Sequence, residues 1–68
     1  MNSTYKLIEV VGTSSENYEK AIRNGIAKAS ESVKAISWFE VIEQRGAVHD
    51  GKVTEFQVTL KVSFKIID

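Results

Sequence analysis

Cysteine and proline are both absent from this chain of 68 residues, which has one histidine, His49, and one tryptophan, Trp38. Without cysteine there are no disulfides, no thiolate chemistry and no zinc–sulfur site. A lone histidine also argues against a metal site built from protein side chains. A domain of this size buries only roughly 60% of the surface that its unfolded chain exposes, so it needs another source of stability. We therefore expect partner subunits.

Charge and hydropathy exclude two further classes of protein. The 9 basic and 9 acidic residues cancel, which argues against a nucleic-acid binder that relies on phosphate neutralisation. No apolar run approaches the roughly 20 residues that a membrane span requires, and the N-terminus lacks the pattern of a signal peptide. We expect one domain over residues 1–68 in a cytoplasmic protein of bacterial type, with no membrane and no nucleic acid among its partners.

The spacing of apolar residues predicts an α+β fold that begins with a strand and a helix. The first strand runs over Tyr5–Val11 and ends at Gly12. A helix over about 14–33 follows, with Thr13 as its N-cap and Glu16 completing a capping box. The apolar stripe of this helix has the 3.6-residue period and comprises Tyr18, Ala21, Ile22, Gly25, Ile26, Ala29 and Val33.

Two further strands, over Ile36–Arg45 and Val53–Ile67, form an antiparallel hairpin around the turn residues Asp50-Gly51. The helix returns the chain so that the third strand fits between the first two. We therefore predict a β-α-β-β fold with a three-stranded antiparallel sheet in the order 1-3-2. The helix packs on the face of strand three that carries its even-numbered residues.

The predicted sheet is longer than its only helix. A helix of twenty residues spans about 30 Å, whereas a strand of fifteen residues spans roughly 50 Å. Phe64, Ile66 and Ile67 then lack cover within one chain, and a neighbouring subunit is the simplest source of it.

Trp38 is the most informative residue because it is predicted to face outward. Strand alternation puts Ser37, Phe39 and Val41 on the core face and Trp38, Glu40 and Ile42 on the other. An exposed indole is typical of a surface that binds something flat, apolar or self-complementary.

Gln57 is the second candidate on that face. A turn at Asp50-Gly51 suggests that paired residues sum to roughly 95–101, and the lower half of that range puts Gln57 opposite or diagonal to Trp38. An indole beside a carboxamide suits a planar heteroaromatic ligand with an amide-like edge, and Arg45 could bind a phosphate on it. From these residues alone, an indole that fills an oligomer interface is the stronger alternative.

Several short strings along the chain together resemble the dodecin family of small flavin-binding proteins, and the resemblance covers essentially the whole length. They are Tyr5-Lys6, Val11-Gly12-Thr13-Ser14, Trp38-Phe39-Glu40-Val41, Arg45-Gly46 and Glu55-Phe56-Gln57-Val58. The resemblance implies assembly into a hollow homododecamer that binds flavins in pairs between symmetry-related tryptophans.

By position, the resemblance implies that Trp38 stacks on the isoalloxazine and that Gln57 contacts its edge. Arg45 and Lys65 would approach the phosphate of flavin mononucleotide (FMN), although a lysine lacks the bidentate fork of an arginine. FMN is the implied ligand, with riboflavin or flavin adenine dinucleotide as alternatives. The implied role is flavin storage without catalysis. Some bacterial members also bind coenzyme A through basic residues, for which Lys6 and Lys28 are candidates.

Other classes of function have less support. Nucleophilic catalysis needs a base, and the only histidine lies in the predicted turn. Glu40 could serve as a general acid, but it is more simply a cross-strand partner of Lys61. RNA binding on the sheet would need more than one outward aromatic residue and a basic stripe. The main alternative is a structural shell protein in which Trp38 fills a subunit interface and binds no flavin.

Overall fold

A three-stranded antiparallel sheet carries one helix on one of its two faces in the computed structural model, which describes residues 2–66. The elements follow in the order β1 (Tyr5–Ser14), α1 (Tyr18–Ala29), β2 (Ile36–His49) and β3 (Lys52–Lys65). The spatial order is β1-β3-β2, and both pairings are antiparallel. The predicted α+β class, the element order and the strand order are therefore confirmed.

The helix is shorter than predicted, and its predicted N-cap is wrong. Thr13 and Ser14 remain in β1 because they pair with Gln57 and Phe56 of β3. The cap is Asn17, whose side-chain oxygen accepts a hydrogen bond of 2.7 Å from the backbone N–H of Lys20. Pairing with the central strand thus outweighs the local capping signal.

The helix also ends earlier than predicted, at Ala29. The hydroxyl of Ser30 donates to the carbonyl of Ile26 at 2.8 Å, and Val33 then bonds through its N–H to Ala29. Val33 therefore lies beyond the helix, in the connection to β2. The predicted end of β3 at Ile67 lies outside the described residues.

The hairpin turn is as predicted. Asp50 and Gly51 have φ values of 52° and 76°, the two positive angles that a type I′ hairpin turn requires. The hairpin arms are longer than predicted, because β2 continues to His49 and pairs there with Lys52.

The core lies between α1 and the even-numbered side chains of β3, as predicted. Val58, Leu60 and Val62 are fully buried, and each such side chain contributes about 1.5–3 kcal/mol of burial free energy. Ala21 is fully buried on the facing side of the helix, and Ile8, Val10, Ile22 and Ile26 are among the residues that pack around this cluster.

The helix approaches the sheet closely where two glycines meet. Gly25 of α1 faces Gly12 of β1, and a Cβ on Gly25 would lie 3.1 Å from both the Cα of Gly12 and the Cδ1 of Leu60. A Cβ on Gly12 would overlap the carbonyl oxygen of Ala21. Gly12 therefore does not end a strand, as the sequence suggested, but lies within β1 at the closest contact with the helix.

We expect Gly12→Ala to lower the free energy of unfolding by about 3 kcal/mol, since the added methyl group meets backbone that cannot move aside. Gly25→Ala is the matched comparison and should cost less, because its methyl group would lie 3.1 Å from its nearest neighbours, without the overlap found at Gly12, and the helix gains about 1 kcal/mol of propensity. Urea unfolding measures the free energy of unfolding of both variants. Equal stability of Gly12→Ala and wild type would contradict the close contact.

Candidate functional site

The four candidate flavin-site residues, Trp38, Arg45, Gln57 and Lys65, lie on the face of the sheet opposite the helix, which we call the helix-free face. On β3 this face carries the odd-numbered residues, and register extends it to both neighbouring strands. Its rungs, from one end to the other, are Tyr5–Lys65, Leu7–Ser63–Trp38, Glu9–Lys61–Glu40, Val11–Thr59–Glu43 and Thr13–Gln57–Arg45.

Trp38 lies on this face as predicted, with 47% of its surface exposed. It pairs with Ser63 of the central strand, while Phe39 and Val41 pair with Val62 and Leu60 on the helix face. Phe39 and Val41 nevertheless stay 45% and 43% exposed in the single chain, because α1 packs over β1 and β3 but not over β2. Both sides of β2 thus present apolar surface.

A second aromatic ring, which the sequence did not point to, adjoins Trp38. Tyr5 lies one rung away on β1, and the two ring centroids are 4.7 Å apart with planes tilted by 53°. The residue between them, Ser63, is fully buried. Within residues 2–66 the hydroxyl of Ser63 has no hydrogen-bond partner.

Gln57 does not adjoin Trp38 in one chain, because the register lies at the upper limit of the predicted range and not in its lower half. Trp38 pairs with Ser63, so the residue numbers of the pair add up to 101, the upper limit of the predicted range. Gln57 is six residues along β3 from Ser63, which is about 20 Å at 3.3 Å per residue. Its amide nitrogen donates to Glu55 at 2.8 Å.

Arg45 pairs directly with Gln57, so the two residues lie side by side on the helix-free face. A β-bulge between Val41 and Glu43 leaves Ile42 without a partner and reverses the alternation beyond it. Without that bulge, Arg45 would share the helix face with Phe39 and Val41. The sequence alone places neither the bulge nor this reversal.

The guanidinium of Arg45 is held by two neighbours. Both of its terminal nitrogens donate to the hydroxyl of Thr59 at 3.0 Å, and Nη1 also donates to the carboxylate of Glu43 at 2.7 Å. The ion pair is partly exposed, with 38% of the Arg45 side chain accessible, so it is worth no more than about 1 kcal/mol. An anionic ligand would have to compete with Glu43.

Lys65 lies at the opposite end of the face from Arg45, on the rung of Tyr5. It also lines a hollow of about 380 Å³ together with Lys34 and Ser32. Lys61 pairs with Glu40, as predicted. The four candidate residues therefore form two groups in one chain, Trp38 with Lys65 and Gln57 with Arg45.

The two lysines considered for coenzyme A are not brought together. Lys28 lines a hollow of about 570 Å³ beside β1, next to Asn24 and Ser32, and pairs with Glu31 at 3.3 Å. Lys6 pairs with Phe64 near the far end of β1 and does not line that hollow.

Residues 2–66 were compared with the requirements of a metal site and of a membrane-spanning helix. No group of three acidic, histidine or cysteine side chains is arranged to hold a metal ion there. No helix in that range has the length and apolar character to cross a membrane.

Fold and site together define a small α+β protein whose open sheet face carries an aromatic pair near one end and the neighbouring residues Gln57 and Arg45 toward the other. The family model described as Dodecin matches residues 4–67, so the chain belongs to the dodecin family. The predicted family is thereby confirmed.

Individual relatives cover nearly the whole chain. This chain is 42% identical to the dodecin of Thermus thermophilus over 66 residues, which are 97% of this chain and 96% of that protein. It is also 42% identical to a calcium dodecin of Mycobacterium tuberculosis over 65 residues, 94% of this chain and 90% of that one. The solved dodecin of Streptomyces davaonensis is 46% identical, with full coverage of both chains and a TM-score of 0.96.

We expect Ser63→Ala to raise the free energy of unfolding by about 1 kcal/mol, because it removes a buried hydroxyl that has no hydrogen-bond partner among residues 2–66. Ser37→Ala is the matched control, since the exposed hydroxyl of Ser37 donates to the carbonyl of Ala35 at 3.2 Å. That control should change stability by no more than about 0.5 kcal/mol. Chemical denaturation compares the two, and a clear loss of stability in Ser63→Ala would show that its hydroxyl is bonded in solution.

Proposed function

We propose that this protein stores and sequesters flavin without catalysing a reaction. In the proposal, the isoalloxazine of FMN, or of riboflavin or flavin adenine dinucleotide, stacks on Trp38 at an interface between subunits of a homododecamer. The observation that carries it is the half-exposed indole on the helix-free face of a chain that belongs to the dodecin family. An indole offers a flat stacking surface, and aromatic stacking is worth about 1–3 kcal/mol for a nucleic-acid base.

The geometry supports a site shared between subunits. Trp38 and Gln57 are separated by about 20 Å along one chain. A single isoalloxazine cannot contact both in the same subunit. A flavin that stacks on the indole of one subunit and meets the amide of Gln57 must therefore take that amide from a neighbour.

Exposed apolar surface supports the assembly itself. One chain measures 53 × 20 × 14 Å, so it is long and thin, and ten large hydrophobic residues are exposed among residues 2–66. A groove of about 440 Å³ separates α1 from Phe39 and is lined also by Ile22 and Ile26. Exposed apolar surface of this extent is typical of subunit interfaces.

Arg45 and Lys65 are the proposed contacts for the phosphate of FMN. The guanidinium of Arg45 can present two parallel N–H groups to a phosphate, and Thr59 fixes its plane. Lys65 supplies charge without that fork. Because the two lie at opposite ends of the helix-free face, they too would reach one phosphate only from different subunits.

Stacking supports sequestration over turnover. An indole in contact with an isoalloxazine can donate an electron to its excited state, which quenches fluorescence and photochemistry. If both faces of the ring system are covered, no substrate reaches the reactive flavin nitrogen. The site then protects flavin by denying access to it.

Coenzyme A and calcium have less support as ligands. Lys28 and Asn24 line the hollow beside β1, but Lys6 lies elsewhere. The relative from Mycobacterium tuberculosis is named for calcium, and a solved structure of it describes a calcium-binding site. Within residues 2–66 of this chain, no cluster of three suitable ligands favours the same role.

We expect FMN to lose its fluorescence on titration with the purified protein, and we expect Trp38→Ala to weaken binding at least about tenfold, which corresponds to the loss of one stacking contact. Trp38→Phe keeps a smaller flat ring and should bind with intermediate affinity. The FMN affinities of wild type, Trp38→Ala and Trp38→Phe are measured by flavin fluorescence under the same conditions.

The same titration tests the alternative of a structural shell. A large oligomer, seen by light scattering, that leaves flavin fluorescence unchanged would assign Trp38 to a subunit interface and refute the storage function. Sustained flavin-dependent turnover by the wild-type protein would refute it as well.

Arg45 should set the preference for FMN over riboflavin, because only FMN has a phosphate. We expect Arg45→Ala to weaken FMN binding at least about tenfold, the loss of one charge-assisted contact of about 1.5–3 kcal/mol, and to leave riboflavin binding unchanged. Glu43→Gln should have the opposite effect. It removes the carboxylate that competes for the guanidinium, so FMN should bind more tightly. Equal changes for both flavins would show that Arg45 does not contact the phosphate.

A further inference from the structure

Tyr5 and Trp38 lie on opposite edges of the sheet and yet touch. Tyr5 belongs to β1 and Trp38 to β2, with the whole of β3 between them. Their ring centroids are nevertheless 4.7 Å apart, with planes tilted by 53°, within the usual range for an aromatic pair. The two rings thus meet above the central strand.

The contact depends on a small residue beneath it. Ser63 lies between Leu7 and Trp38 on its rung, and Tyr5 reaches across from the next rung. Ser63 is fully buried although it faces the side of the sheet without a helix, so the neighbouring side chains cover it. A long side chain at this position would occupy the space in which the rings meet.

Trp38 needs this contact because its own backbone does little to fix the orientation of the indole. It lies on an edge strand, and the pairing of β2 with β3 shifts register between Ile36 and Trp38. An exposed indole on such a strand can adopt several rotamers. Fixing one of them before the ligand arrives reduces the entropy that binding costs.

We propose that Tyr5 is a positioning residue that holds the indole of Trp38 in the orientation that stacks on flavin. This inference rests on the proposed function, and it assigns to β1 a part in a site whose contacts otherwise come from β2 and β3. Tyr5 acts through Trp38 and need not touch the ligand.

The chain contains a matched control in its other tyrosine. Tyr18 contacts Phe56 with ring centroids 4.9 Å apart, a distance close to that of the Tyr5–Trp38 pair. Tyr18 packs against the buried core under the helix, on the opposite face of the sheet from Trp38. Removing its ring therefore costs a similar aromatic contact without altering the surroundings of the indole.

The test compares Tyr5→Leu, Tyr5→Phe and Tyr18→Leu in the full-length protein. FMN affinity is measured by titration. The mobility of the indole is measured by fluorescence anisotropy of the flavin-free protein, with excitation at the red edge where tyrosine does not absorb. Because Trp38 is the only tryptophan, this signal reports on the site alone.

We expect Tyr5→Leu to bind FMN about three- to tenfold more weakly, the range that one aromatic pair provides, and to show faster indole motion. Tyr5→Phe keeps the ring and should match wild type in both measurements. Tyr18→Leu should lose stability but keep wild-type FMN affinity and anisotropy.

Two outcomes would overturn the role of Tyr5. One is an unchanged FMN affinity in Tyr5→Leu while wild type binds, and the other is an equal loss of affinity in Tyr5→Leu and Tyr18→Leu. Failure of the wild-type protein itself to bind FMN would instead refute the proposed function, so the two failures are distinguishable.

Discussion

One helix has to cover a sheet that is both longer and wider than itself, and the rest of the structure follows from this mismatch. The twelve residues of α1 span about 18 Å, whereas strands of 14 residues such as β3 span roughly 46 Å. The glycine contact between Gly12 and Gly25 fixes the helix over β1 and β3. As a result β2 keeps an uncovered apolar side, the helix-free face stays open, and a single chain leaves much of its hydrophobic surface in water.

The topology could be predicted from the sequence because strong, redundant signals specify it. Alternation along Val58, Leu60 and Val62 identifies the core face of β3, and Asp50-Gly51 fixes the hairpin turn. The helix boundaries could not be predicted because Thr13 and Ser14 suit both a helix cap and a strand. Only their long-range pairing with β3 decides between the two.

The candidate site shows the same division between local and long-range information. Strand alternation alone predicts that the side chain of Trp38 faces away from the core. Its distance from Gln57 depends on register, and the side on which Arg45 lies depends on one extra residue at Ile42. A β-bulge has no reliable local signature, yet it reverses every side chain beyond it. The dodecin resemblance supplied the ligand class, which no spacing in the sequence could provide.

A site divided between subunits links ligand binding to assembly. If flavin contacts Trp38 of one subunit and Gln57 of another, it binds the assembled state and not the separated chains. Free ligand at a hundredfold excess over its dissociation constant then stabilises the binding state by about 2.7 kcal/mol per site. For a chain this short, whose core within residues 2–66 has few fully buried side chains, this contribution is a sizeable fraction of the roughly 3–10 kcal/mol expected at about 0.05–0.15 kcal/mol per residue. The open face that leaves the monomer poorly covered is thus the same surface through which the ligand can hold the assembly together.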